Sequence, residues 1–297
     1  MPGNPKVLAA RAVLAVHVAS LDAPLVGIAW QHALARCFGV RLEPVAYAIL
    51  FLSIWLAYSG DRWLDVVIGR GIREATERHR FARRFAVPMT ALWLALFILD
   101  IVVAIRFLEP DLLNSGWFLF AAVLAYLALA QWHRVALARI PKEVVAGGLF
   151  AIGTAWFAFA RLLSSAETSF VGVAVAAVAV AMYAAMCILN CLAISSWEYA
   201  LDRRRGEPAW TSREQLGSLV RVGARALQAL ALLGAMAMLV LAPEGDRFGA
   251  ASCFLAIALA ARALGWLHLR AEGFDVGLLR AVADLLLLTP LLFWWLG

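Results

Sequence analysis

What limits this chain most is an apolar run of about 20 residues that recurs along its whole length. The runs fall near 8–36, 43–60, 85–108, 113–132, 143–163, 168–197, 215–242, 248–268 and 276–296. A helix rises about 1.5 Å per residue, so each run matches a hydrocarbon core of about 30 Å. Leu and Ala dominate without strict alternation, which predicts helices rather than a barrel. The expected fold is therefore all-α: a bundle of nine transmembrane helices forming one domain over residues 1–297. Composition agrees, with 64% hydrophobic and 15% charged residues; a soluble domain carries about 25% charged. The first run follows MPGNPK and lacks a small-residue cleavage site, so it is expected to stay as a span rather than act as a signal peptide.

The net charge of +6 is not spread evenly. Arginines cluster in the loops after the even-numbered runs, as in Arg78, Arg80, Arg83 and Arg84, again in Arg203, Arg204 and Arg205, and in Arg270 and Arg280, counted with the loop after the eighth run. The loops after the odd runs hold only Arg36, Arg41, Arg106, Arg161 and Arg247. The positive-inside rule then places the N-terminus and the even loops in the cytoplasm and the C-terminus outside, in a multi-pass cytoplasmic membrane protein. Basic residues in short interfacial loops meet lipid headgroups, so the bilayer is the expected partner and nucleic acid is not. Cys37, Cys187, Cys191 and Cys253 have the spacing of neither a disulfide framework nor a zinc site.

Two acidic pairs stand at the ends of even runs. In YSGDRWLD (58–65), Asp61 and Asp65 are one helical turn apart. In NCLAISSWEYALDRRRGEP (190–208), Glu198 and Asp202 repeat that spacing, with Asn190 on roughly the same face. One such pair is commonly a solvated helix end. Two at the same membrane depth, on neighbouring spans, would bring four carboxylates to one cavity mouth, where they repel without cations. Mg²⁺ prefers oxygen ligands and bridges carboxylates to phosphates. No His or Cys shares the face, so zinc is not expected. Arg62 lies within the first pair and Arg203 follows the second, although the RRR run also suits a lipid surface. In ARIPKEVVAGG (138–148), Pro141 suits a helix first turn and Lys142 would favour an anion there. Tyr58 completes the set of candidate substrate contacts; Asn190 also fits an interhelical hydrogen bond.

Several polar groups lie inside the runs: His17, Asp22 and Gln31 in HVASLDAPLVGIAWQ, Asp100 in the third run and Asp284 in the ninth. Asp22 precedes Pro24, which points to a helix break and a polar pocket that could orient an acceptor; packing is the plainer role. GRGIREATERHRFARRF (69–85) reads as an amphipathic cytoplasmic helix, either a lid or a surface anchor. Trp63 and Trp197 flank the acidic pairs, with a lipid-interface role as their default.

With its nine runs and its acidic motifs after the second and sixth, the chain resembles the UbiA superfamily of intramembrane prenyltransferases over nearly its whole length. The first family motif, NxxxDxxxD, falls on Ala57, Asp61 and Asp65, so its Asn is missing. The second, DxxxD, falls on Glu198 and Asp202, with Glu in place of the first Asp, followed by RRRG. The segment YLALAQWHRVALARIPKEVVAGGLFAIGTAW (126–156) resembles the region of the family's fourth and fifth spans. The resemblance implies Mg²⁺-dependent ionisation of an isoprenyl diphosphate and transfer of its chain to an acceptor that the sequence does not identify. Asp61, Asp65, Glu198 and Asp202 would hold metal and diphosphate. The departures leave open a non-catalytic lipid-binding or accessory member. A small-solute transporter using Asp22, Asp100 and Asp284 is a further alternative.

Overall fold

The computed structural model describes residues 16–17, 19–67, 86–132, 141–165, 169–204, 211–242 and 247–294. Among the described residues there are nine α-helices and no strand. They are α1 (Asp22–Cys37), α2 (Pro44–Val67), α3 (Ala86–Phe107), α4 (Pro110–Trp132), α5 (Lys142–Ser164), α6 (Phe170–Arg204), α7 (Arg213–Leu241), α8 (Arg247–Leu269) and α9 (Val276–Leu286), followed by a 3-10 turn (Thr289–Phe293). Among the described residues, eight helical segments are long and apolar enough to cross a membrane, the last combining α9 with the 3-10 turn. This is consistent with a multi-pass membrane protein. The expected amphipathic segment 69–85 lies outside the described residues.

The apolar run 8–36 is interrupted next to Asp22 and Pro24, where the sequence pointed to a helix break. The Leu21 N–H donates to the Val16 carbonyl at 3.1 Å and the Ser20 N–H to the His17 carbonyl at 3.2 Å. Ser20 has φ 60°. Crossed bonds around a left-handed residue are how a helix ends. Pro24 gives the reason for the break. A helix running through it would lose a hydrogen bond and push its ring against the Ser20 carbonyl. Helix α1 restarts at Asp22, and its 16 residues reach about 24 Å. It is an inner helix: Trp30, Gln31 and Leu34 are fully buried.

Helices α1, α5, α6, α7 and α8 build the main core around Trp30, Tyr183, Met186, Val220, Phe254 and Leu264. Trp30 stacks on Tyr183 with centroids 4.4 Å apart, and its indole N–H donates to the Leu287 carbonyl at 2.7 Å. Arg36 donates to the carbonyls of Phe293 and Trp294 at 3.3 and 3.4 Å. These bonds answer C-terminal carbonyls that lack helical donors, and they dock the end of the chain on α1. The α5–α6 contact depends on Gly147. A Cβ there would lie 2.7 Å from the Ile188 backbone nitrogen, so only glycine allows the two backbones so close. The outward faces of α3 and α4 are apolar, as at Ile98, Val102, Ile105 and Phe118, which suits lipid rather than water.

Candidate functional site

A cluster of polar side chains joins the turn at Ser20 to α1, α6 and α9. The His17 Nδ1 contacts the Asp22 carboxylate, and lies 3.7 Å from the Asp284 Oδ2 on α9. Asn190 on α6 donates from Nδ2 to the Asp284 Oδ1 at 2.9 Å. The Ala23 N–H donates to the Asp22 Oδ1 at 3.0 Å. His17, Asp22 and Asn190 are buried.

Nearer the end of the bundle, Arg280 donates to the Glu198 Oε1 at 3.1 Å. Helix α6 runs toward that end and α9 runs away from it. Between Asn190 and Glu198, α6 rises about 12 Å, while α9 rises only about 6 Å between Asp284 and Arg280. The long arginine side chain covers the difference. Beside this pair, the Ser195 hydroxyl donates to the Glu143 Oε1 at 2.7 Å, joining α6 to the first turn of α5. Tyr58 of α2 sets its ring edge-on to Phe150 of α5. Side-chain contacts therefore join α2 to α5, the first turn of α5 to α6, and α6 to α9.

The candidates read from the sequence fall as follows. Asp61 and Asp202 are half-buried, and Lys142 and Arg203 are exposed. Asn190 bonds Asp284, Asp22 contacts His17, and Glu198 pairs with Arg280; Tyr58 lies on α2 against Phe150. Arg62 and Asp65 sit on the last turns of α2, but their side chains lie outside the described residues, as do Arg205 and Gly206. Helices α2 and α6 were expected to be neighbours. Instead α2 packs mainly on α1 and α3, and α6 on α5 and α7.

Two assignments change. Arg280 reads in the sequence as one of the basic loop residues, yet it stands on α9 and binds Glu198. The signal for this was local: Arg280 lies four residues before Asp284, so both fall on one face of a short apolar helix. Trp197 is not at a lipid interface. It is buried and stacks on His268 of α8, with centroids 6.0 Å apart. Glu143 and Ser195 were also missed, because each is an ordinary residue until folding places it beside the other. Asp100 stands apart, accepting from the Ser53 hydroxyl at 2.7 Å between α2 and α3.

The candidate donors at the ends of α2 and α6 are hard oxygens. The Glu198 Oε1 is engaged by Arg280, and the Glu143 Oε2 is buried without a partner. Among the described residues, Asp61, Glu198 and Asp202 do not gather closely enough to share one ion. A separate cleft of about 300 Å³ is lined by Leu42, Ala46, Phe107, Leu112, Phe157 and Arg161; none of the acidic pairs borders it. No protein-family model, curated protein or solved structure matches the chain.

Proposed function

We propose that the polar side chains of α5, α6 and α9, with the acidic end of α2, bind an isoprenyl diphosphate and transfer its chain to an acceptor, in the manner of the UbiA superfamily. One observation carries the reading. The lysine-bearing first turn of α5, the acidic end of α6 and the Asn190–Asp284 pair are joined through side chains, and α2 meets α5 through Tyr58. Asp61 and Asp65 at one end, and Asp202 with the free oxygen of Glu198 at the other, would hold Mg²⁺. The bound cation supplies charge compensation to a leaving diphosphate. Lys142, Arg62 and Arg203 are placed by sequence to meet phosphate oxygens. Tyr58, on α2 against Phe150, would face the reacting end of the lipid. The apolar walls of the spans accommodate the chain and keep water from the reacting carbon.

The purified protein is incubated with a radiolabelled polyprenyl diphosphate, Mg²⁺ and a cell extract, and lipid products and released diphosphate are measured. Asp61→Asn and Asp202→Asn are expected to abolish release. Turnover of either variant at the parental rate would overturn the assignment. A second reading, a lipid-binding member without transferase activity, is favoured by the Glu198–Arg280 pair, which neutralises one of the four carboxylates. It predicts lipid binding with no diphosphate released by the parental protein. The transporter reading gains less, because Asp100 is engaged with Ser53, away from the Asp22 and Asp284 cluster.

A further inference from the structure

We propose that the outward groove between α7 and α8 binds an anionic phospholipid, its phosphate on Arg221, Arg225 and Arg262 and an acyl chain along Leu232 and Leu259. Close approaches run from Gly217 and His268, through Ala224 and Gly265, to Gly234 and Phe254, so the two helices are antiparallel. At the middle contact, a Cβ on Gly265 would lie 3.3 Å from the Ala224 Cβ. Helical residues advance by about 100°. Arg221 and Arg225 are therefore turned about 60° and 100° to one side of Ala224, and Arg262 and Trp266 by the same angles from Gly265. In an antiparallel pair, equal rotations point to the same side. Helix α6 takes the other side: Gly223 meets Leu189 there, and His268 stacks on Trp197. The three arginines, Trp266, Leu232 and Leu259 are all exposed.

These arginines lie too far along their helices to be loop residues. From Leu241 back to Arg225 the chain rises about 24 Å, and from Arg247 to Arg262 about 22 Å. Both fall within a hydrocarbon core of about 30 Å. Charged side chains in a span normally turn inward and pair. These turn outward, and among the described residues no carboxylate engages any of the three. Helix α8 contains no Asp or Glu. The one acid of α7, Glu214, lies about 10 Å of helix rise from Arg221. The Arg221 guanidinium folds back toward the helix end, where a Cβ on Gly217 would lie 3.3 Å from its Nη1. Such a bend carries a charge from the apolar zone toward headgroup level. Trp266 is held at that level by the Arg270 guanidinium, 4.6 Å from its ring centroid.

Cations at headgroup depth beside an apolar groove select a lipid whose phosphate has no ammonium of its own to neutralise it. Phosphatidylglycerol meets that condition and phosphatidylcholine does not. Leu232 and Leu259, turned about 80° and 120° to the same side, extend the groove from the arginines toward the bilayer centre, which favours a lipid over a free phosphate. The groove faces away from α6 and its acidic pair, so the proposal does not rest on the transferase reading.

The test uses the full chain in detergent, with phosphatidylglycerol or phosphatidylcholine added and bound lipid counted by native mass spectrometry. The parental protein is expected to retain phosphatidylglycerol under conditions that remove phosphatidylcholine. Arg221→Gln, Arg225→Gln and Arg262→Gln should each weaken retention about five-fold. Arg106→Gln, on the last turn of α3, should leave it unchanged. Phosphatidylglycerol brominated in its chains should quench tryptophan fluorescence less in Trp266→Phe than in the parent. Glycerol phosphate, which has no chain, should not displace the lipid. The proposal is overturned if the parental protein holds both lipids equally, if the three glutamine variants bind as the parent does, or if glycerol phosphate displaces the lipid. The parental preference decides the matter even where a variant does not fold. None of these readouts measures prenyl transfer, so failure here leaves the transferase reading standing.

Discussion

Glu198 and Arg280 illustrate how single residues share the electrostatic load where α6 meets α9. Their side chains are 18% and 35% exposed, so the pair is neither a solvated bridge nor a fully buried one. Removing one member strands the other in a poorly solvated place. Arg280→Ala is therefore expected to destabilise the protein by about 1–3 kcal/mol, below the cost for a fully buried pair because water screens part of the charge. The double variant Arg280→Ala with Glu198→Ala should recover part of that loss, since no lone charge remains. Thermal unfolding in detergent reads both. A double variant less stable than the sum of the single losses would show that the pair does not compensate charge. Arg280 also shows where reading residues one at a time stopped. A count of basic residues by loop assigns it to the membrane surface. Its spacing from Asp284 hints at a helix face, and the structure supplies its partner, 82 positions away.

Helix packing sets the geometry that such pairs need. The α5–α6 contact brings the first turn of α5 to Ser195, and Gly147 is what permits the approach. A Cβ at Gly147 would meet the backbone of Cys187 and Ile188 at under 3.0 Å, where nothing flexible can move aside. Gly147→Ala should cost about 1–3 kcal/mol by forcing the helices apart, and should loosen the Glu143–Ser195 bond. Gly148→Ala is the control, because nothing lies within 4 Å of its Cβ. It should be neutral or slightly stabilising, as alanine favours a helix interior. Equal melting temperatures for the two variants would remove Gly147 from this role. The same scale explains the first run. Its apolar length is visible in the sequence and Pro24 marks the trouble. The reversal at Ser20 and the return of His17 to Asp22 are set by the crossed hydrogen bonds of the helix end.

For the whole molecule, the outward apolar faces of α3 and α4 and the length of the spans fit a bilayer. The distribution of arginines predicts which end is cytoplasmic. Green fluorescent protein fused after residue 208 should fluoresce, and fused after residue 109 or 297 it should not. Alkaline phosphatase at the same points should give the reverse pattern. A fluorescent fusion after residue 297 would reject the expected orientation. If the orientation holds, the acidic ends of α2 and α6 face the compartment where soluble diphosphates and Mg²⁺ are found.

The sequence by itself determined the helical class, the approximate limits of the helices and the residues that punctuate them. Run length, proline position and arginine clustering are local quantities, and a membrane turns them directly into structure. It also marked Asp61, Glu198, Asp202, Asn190 and Asp22 as polar groups too costly to place in or beside apolar spans without a purpose. Which partner each one meets was decided only by the tertiary structure. Asn190 finds Asp284 across 94 positions, and Trp30 finds Leu287 across 257. Such pairings depend on how the helices lie against one another. In a chain of uniformly apolar spans that arrangement is set by small residues, buried polar groups and close backbone contacts, none of which has a period that a linear reading can detect.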